Sequence, residues 1–485
     1  MAYEFARTQR IGVLGGGPGG YEAALAGARL GAEVTLIERI GVGGSAVLTD
    51  VVPSKTLIAT AEATNAIGEA GDLGVQFFTR GEDGRAVRPE VAVNLAAVNA
   101  RLLRLARQQS EDMKSQLIKA GVRVVHGEGR LDGPQRIIVS TGTGTGTGKS
   151  RKTTDFDQID VDTIVVSVGA HPRVLDSAMP DGKRIFNWTE LYNLEEVPEH
   201  LIVVGSGVTG AEFASAYRAL GSQVTLISSR DQVLPGEDAD AARVIEDVFK
   251  RNGMTVLSKS RADSVTATAT GVIATLSDGR IVEGSHCLMA VGSIPNTAGI
   301  GLEEAGIQLT ESGHIRVNRV ARTSMPSIYA AGDCSDFMPL ASVASMQGRT
   351  AVFHAMGDAV NPTELRNVTS NIFTQPEIAT IGWSQKQIEE GLIQGQIYKL
   401  PLSSNPRAKM MGIKDGFVKL FARTGDGTVI GGVIVAPHAS ELIATIALAV
   451  EYRLTVDQLA RSYSVYPSLT GSITDAARAM HVVNN

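Results

Sequence analysis

Residues 11–25 read IGVLGGGPGGYEAAL, and residues 201–214 read LIVVGSGVTGAEFA. One pattern occurs twice. A short apolar run leads into Gly15, Gly17 and Gly20 in the first copy and into Gly205, Gly207 and Gly210 in the second. An alanine-rich, helix-like stretch follows each time. In a strand–turn–helix setting, G-x-G-x-x-G binds a dinucleotide: the glycines allow a tight turn and close backbone approach, and the helix N-terminus faces a pyrophosphate. Pro18, Gly19 and Val208 belong to the same turns. Two copies imply two dinucleotides on one chain, and so electrons passing from one to the other.

The copies differ at the end of the next strand. EVTLIE ends at Glu38, with Arg39 after it. An acid there accepts hydrogen bonds from a ribose with a free 2′-hydroxyl. In the second copy QVTLIS places Ser228 at the same offset, followed by Ser229 and Arg230. A serine does not repel a 2′-phosphate, and an arginine pairs with one. The alternative for Arg230 is an ordinary solvated loop residue.

The chain has 485 residues, enough for about three domains with substantial cores. A net charge of −6 gives no electrostatic case for nucleic acid or an anionic membrane. No apolar run approaches the length of a spanning helix. MAYEFARTQR at the start lacks the apolar core of a secretory signal. Cys287 and Cys334 have no metal or redox spacing. A cytoplasmic protein without structural disulfides and without a bound metal is the expectation.

Residues 10–60 read as strand, helix, strand, glycine-marked turn and helix. Residues 97–120 have a helical apolar period that ends at Gly121, a C-cap candidate. VRVVHGEG and RIIVST predict an antiparallel meander, with TGTGTGTGKS (141–150) as a hairpin tip rather than a phosphate loop. DTIVVSVGAHPR (162–173) and SIYAAGDCS (327–335) are buried strands that end in turns. After about residue 362, strands FVKLFAR and TVIGGVIVA and helices SELIATIALAVEY and TDAARAM read as a separate α+β domain.

Together these landmarks resemble the pyridine nucleotide–disulfide oxidoreductases, which include lipoamide dehydrogenase, glutathione reductase, mercuric reductase and soluble transhydrogenase. The resemblance rests on GGGPGG (15–20), GG with PSK (43–44, 53–55), VGAHPR (168–173), GSGVTGAE (205–212), VGSIPN (291–296), IYAAGD (328–333) and FTQPEIATIG (373–382). It implies an α/β fold with two Rossmann-like dinucleotide-binding domains and a C-terminal α+β dimerisation domain. The implied boundaries are 1–165 and 293–361 for the two parts of an FAD-binding domain, 166–292 for an NAD(P)-binding domain and 362–485 for an interface domain. FAD would then contact the first turn, Glu38, Arg39, Gly44, Ser45, Gly129, Gly169 and Asp333, together with Leu340, Ala341 and Ser342 of LASVASMQGR. NAD(P)H would contact the second turn, Ser228 to Arg230 and Gly292. Lys55 and Glu212 would form an ion pair at the flavin edge where hydride arrives. Ser293 stands where the family has Arg.

The family's redox disulfide lies in G-G-x-C-x-x-x-x-C-x-P-S-K. Here the segment is GGSAVLTDVVPSK, so Ala46 and Val51 stand in place of the cysteines. Its acid–base pair lies in H-P-x-x-x-E. Here YPSLTG puts Tyr466 and Gly471 in those places. Neither Ala nor Val supplies a thiolate. A phenol is a poor base at neutral pH.

What remains is a flavin that takes hydride from NAD(P)H and delivers to something reaching the ring itself. The expectation is an NAD(P)H:quinone oxidoreductase acting on a quinone or similar small electrophile. Soluble pyridine nucleotide transhydrogenase is the alternative within the class, supported by LASVASMQGR. An electron-donor flavoprotein subunit or a redox sensor is the alternative outside it. The resemblance also implies a homodimer in which Tyr466 lines the acceptor side, against a plain core aromatic.

Overall fold

The computed structural model describes residues 8–80, 86–87, 91–140 and 156–481. The 141–150 stretch, read above as a hairpin tip, lies outside them. The chain divides into two compact units. One comprises residues 1–54, 100–173 and 292–365; the other comprises 55–99, 174–291 and 366–485.

The first unit is built on a five-stranded parallel sheet. Its order is Ile328–Ala330, Thr163–Val166, Arg10–Leu14, Glu33–Glu38, Arg123–His126. The first fingerprint strand is therefore central. Its apolar run is buried throughout after Arg10, as a strand covered on both faces requires. The helix Pro18–Arg29 starts with proline in its first turn, where a missing N–H costs nothing. It ends at Arg29, with Leu30 as the C-cap and then Gly31, whose φ of 82° is the left-handed conformation that closes helices.

VRVVHGEG does not form one meander strand. Arg123–His126 joins the parallel sheet beside Glu33–Glu38, and only Glu128–Leu131 enters the antiparallel meander with Arg136–Ser140 and Phe156–Asp160. The break falls at Gly127. Its N–H is bonded to the Glu38 carbonyl at 3.0 Å, and a side chain there would run into the Ser140 carbonyl.

The second unit holds two sheets that matter here. One is again five-stranded and parallel, ordered Ile185–Asn187, His286–Met289, His200–Val204, Gln223–Ile227, Thr255–Leu257, with the second fingerprint strand central. The other is antiparallel, ordered Ser370–Ile372, Glu377–Gly382, Val429–Ala436, Phe417–Arg423, Gly395–Pro401. The helices Ala444–Glu451 and Gly471–Ala479 bury Ile446, Ala449, Ile473 and Ala476 with Val418, Leu420 and Ile434 of that sheet.

Lys419, on the same sheet, is 1% exposed. Its ammonium bonds both oxygens of Asp238 at 2.8 Å, Asp240 at 2.9 Å and Gln385 at 2.7 Å. A lysine this deep requires such pairing. Asp238 also caps the helix Ala239–Arg251 by accepting from Asp240 and Ala241 N–H.

Candidate functional site

The two glycine turns are near copies. Gly15 has φ of 96° and Gly205 of 108°, values that suit only glycine in so tight a turn. A side chain on Gly15 would strike the Ser167 carbonyl, and one on Gly205 the Ala290 carbonyl. Side chains on Gly20 and Gly210 would strike the carbonyls of Gly15 and Gly205. Gly17 and Gly207 differ from the rest: nothing lies within 4 Å of where their Cβ atoms would stand. Each is the N-cap of its helix, with no side chain capping the first turn. Each turn is therefore an open cradle floored by helix N–H groups, and a pyrophosphate fits both.

In the first unit Gly19 is packed too tightly for a side chain, with Ala331 Cβ 2.8 Å and Ser167 Oγ 2.9 Å from its would-be Cβ. Gly43 N–H reaches the Gly16 carbonyl at 2.7 Å, and Gly44 lies against Gly17, so the GG pair braces the turn. The Glu38 carboxylate accepts from Gly16 N–H at 2.7 Å and Ile40 N–H at 2.8 Å. Arg39 pairs with Glu128 at 3.5 Å on the surface, a weak contact. Ser45 is exposed. Gly129 has a packing reason to be glycine: its Cβ would strike Leu14 and lie 3.2 Å from Ile37. Gly169 and Gly292 both have positive φ, 66° and 92°.

Asn296 was missed by the sequence reading and organises the Gly169 turn. Its N–H bonds the Gly169 carbonyl at 2.9 Å, its amide donates to the Val168 carbonyl at 2.9 Å, and its Oδ1 meets His171 Nδ1 at 2.7 Å. The signal was the final residue of VGSIPN. Asp333 follows Gly332 at the end of the Ile328–Ala330 strand, and burial pushes its carboxyl up from the usual range against a smaller opposing pull from His314. Leu340 is the N-cap of the helix Ala341–Ala355, whose exposed first residues Ala341 and Ser342 present their N–H groups.

In the second unit Val208 opens the helix that carries Glu212. Ser228 is fully buried. Its hydroxyl meets Ser206 Oγ at 2.7 Å and takes the Arg230 N–H at 3.2 Å. It ties the loop to the glycine turn. Ser229 and Arg230 are exposed.

Lys55 and Glu212 lie 157 positions apart in the chain, and Lys55 Nζ meets Glu212 Oε2 at 2.7 Å. Glu212 is 5% exposed and Lys55 27%. The other Glu212 oxygen accepts the Phe373 N–H at 2.9 Å, and the ammonium lies 4.9 Å from the Phe373 ring centre. Phe373 opens FTQPEIATIG, and nothing in that stretch of sequence announces it as a partner of Glu212. Two contacts hold the cation and a third holds its carboxylate, so its position is set before any ligand arrives.

Ala46 lies in the short helix Gly44–Leu48, and Val51 opens the helix Val51–Glu69. Gly471 opens the helix Gly471–Ala479 and donates its N–H to Ser468 Oγ at 3.1 Å. Tyr466 is 81% exposed and so is no core aromatic. Cys287 and Cys334 are both free and buried, which holds both thiols above their usual range; that of Cys334 is pushed up to about 11. Neither is a nucleophile at neutral pH. Among the described residues no cluster suits a metal ion, and no helix is long and apolar enough to cross a membrane.

Comparison with known proteins agrees with this geometry. The pyridine nucleotide-disulphide oxidoreductase family matches residues 9–348, and its dimerisation domain matches 368–477. NAD(P)H dehydrogenase (quinone) of Mycobacterium tuberculosis is 49% identical over 97% of this chain and 94% of its own. Dihydrolipoyl dehydrogenase of Chlorobaculum tepidum is 31% identical over 96% of each. The crystal structure of LpdA from Mycobacterium tuberculosis superposes with a TM-score of 0.89 at 48% identity, covering 98% of this chain and 100% of that one. The family and these dehydrogenases use FAD and NAD(P)H. With two glycine cradles on two parallel sheets and an antiparallel C-terminal sheet, this chain belongs to the pyridine nucleotide-disulphide oxidoreductase family.

Proposed function

We propose that this chain is an FAD-dependent NAD(P)H dehydrogenase that reduces a quinone or a similar small electrophile without disulfide chemistry. The observation that carries the reading is the loss of the whole thiol relay. Ala46, Val51, Tyr466 and Gly471 occupy its four positions, and the chain's two thiols are buried. The relative at 49% identity is named for a quinone acceptor, which supports the same acceptor class.

FAD, when bound, supplies two-electron acceptance from a nicotinamide and delivery to a planar acceptor. The chain's part is to bind and orient. The first turn, Glu38 and Asp333 hold FAD. The second turn and Arg230 hold the nicotinamide nucleotide, with NADPH accepted as well as NADH. Lys55, held by Glu212 and Phe373, orders the hydride-transfer step. The enzyme acts in the cytoplasm as a homodimer, with the exposed Tyr463, Val465 and Tyr466 turned toward a second copy.

An acceptor screen with the purified flavoprotein tests the function. Quinones are expected to turn over, while lipoamide and glutathione disulfide are not; lipoamide turnover at the quinone rate overturns the reading. LASVASMQGR favours transhydrogenase as the second reading, and hydride transfer from NADPH to an NAD analogue faster than to any quinone would establish it. Glu212→Ala is expected to slow flavin reduction about tenfold or more, some 1.4 kcal/mol in barrier, because it frees Lys55. Reduction at the parent rate in stopped flow would make the pair structural only.

A further inference from the structure

Gln347 lies in the middle of the helix Ala341–Ala355 and is fully buried. A polar side chain so placed is costly unless both ends of its amide are used. Both are. Gln347 Oε1 accepts the Gly332 N–H at 2.9 Å, and Nε2 donates to Ser335 Oγ at 3.3 Å. The Ser335 hydroxyl donates in turn to the Gly332 carbonyl at 2.8 Å. One amide thus spans the turn Gly332–Ser335, which carries Asp333. Gly332 has φ of 84°, and a side chain there would press within 3.2 Å of Ala344 Cβ on the same helix face.

The next two residues reach the other flavin-facing element of this unit. Gly348 packs so closely on the helix Pro18–Arg29 that a Cβ would strike the Gly19 carbonyl and come within 3.1 Å of Ala23 N. Arg349 pairs with Glu22 at 3.7 Å. Ala344, Gln347, Gly348 and Ala351 follow helical spacing and form one buried face. That face registers the glycine turn against the Asp333 turn.

We propose that Gln347 is a positioning residue for the flavin: its amide locks the Asp333 turn onto the helix that Gly348 seats against the phosphate-binding turn. The inference rests on the assignment of FAD to the first glycine turn and is independent of the acceptor. A neutral amide is the side chain the place calls for. Methionine fills the volume but leaves the Gly332 N–H and the Ser335 hydroxyl without this partner. Glutamate still accepts from Gly332 N–H but cannot donate to Ser335.

The test compares parent, Gln347→Met, Gln347→Glu and Ser335→Ala. FAD affinity is measured by titrating apoprotein and following flavin fluorescence. The flavin midpoint potential and the melting temperatures of apo- and holoprotein are measured alongside. Gln347→Met is expected to weaken FAD binding about 10- to 100-fold, the scale of one or two lost buried hydrogen bonds, and to shift the potential. Gln347→Glu and Ser335→Ala are expected to lie between it and the parent. Apoprotein melting is expected to fall less than holoprotein melting. Parent-like affinity and potential in Gln347→Met overturn the proposal, as does equal melting loss in apo- and holoprotein. If Gln347→Met does not fold, parent-like affinity and potential in both other variants overturn it. A parent that takes up no FAD overturns the flavin assignment itself, a result separable from the others.

Discussion

The two glycine turns share one backbone and differ where the turn meets the end of the next strand. Gly16 and Ser206 hold the same place in their turns, and so do Glu38 and Ser228 at the ends of the following strands. In both units these two places touch. In the first, the Glu38 carboxylate takes the Gly16 N–H at 2.7 Å, and a side chain on Gly16 would come within 3.1 Å of the carboxylate. In the second, the shorter Ser228 hydroxyl meets the Ser206 hydroxyl at 2.7 Å. A long acid faces a residue without a side chain, and a short alcohol faces one with a short side chain. The contact is kept while the charge is removed. The difference between acid and serine is therefore half of a matched pair, and the proposal that cosubstrate preference depends on it concerns both positions.

The largest effect is expected where the second unit anchors the loop that leaves this contact. That loop ends at Asp238, held by Lys419. Lys419→Met leaves the Asp238 side chain, 5% exposed, without its cation, a loss of about 3–5 kcal/mol, read by urea unfolding at neutral pH, while Asp240 keeps Lys399. The Asp240 carboxyl is held below its usual range, first by its bond to Lys419 and against desolvation, with Lys399 adding to the lowering. A depressed carboxyl gives stability that is complete above the ordinary carboxylate range and is lost as pH falls through the lowered value. The parent should therefore lose more stability than Lys419→Met between neutral and strongly acid pH. Parallel pH profiles would remove Asp240 from the account.

Next come the glycines that make the turns alike. Gly20→Ala and Gly210→Ala each drive a methyl into a carbonyl, an overpacking of about 1–3 kcal/mol. Gly20→Ala is expected to lose FAD, and Gly210→Ala to keep one FAD per chain while its KM for NAD(P)H rises. Both losing the same ligand would break the reading of two turns for two nucleotides.

The contact itself is tested by exchange. The double variant Ser206→Gly with Ser228→Glu rebuilds the first turn in the second unit. It is expected to weaken NADPH relative to NADH by about tenfold or more through like-charge repulsion with the 2′-phosphate. Ser228→Glu alone should fold less well, because Ser206 crowds the new carboxylate. An unchanged NADPH to NADH ratio in the double variant would show that preference is set elsewhere. The smallest effect is expected from Arg230→Ala, a severalfold loss for NADPH beyond that for NADH, since in the proposed site the exposed guanidinium would meet the 2′-phosphate and nothing of NADH. Equal loss for both would make Arg230 an ordinary surface residue.

Local sterics were legible in the chain. G-x-G-x-x-G after an apolar run can form only a few turns, so both cradles and both central strands were placed from sequence. The missing cysteines and the missing His and Glu were equally plain, because a thiolate or an imidazole is present or it is not. Long-range pairings were not, apart from Lys55 with Glu212, which only the family resemblance implied. Nothing near Glu212 announces Phe373, 161 positions away, which takes its second oxygen. Nothing near Gln347 announces Gly332. Ser228 read as a residue that spares a 2′-phosphate; burial turned it inward to Ser206. VRVVHGEG alternates like a hairpin strand, yet the open edge of the parallel sheet claimed its first half. Residues 55–99 read as part of the first domain but pack with the second unit. Backbone conformation is set by neighbours in sequence and survives in the sequence. Which polar group satisfies which, and which edge a strand joins, is settled by what else is buried beside it, and that exists only in the folded chain.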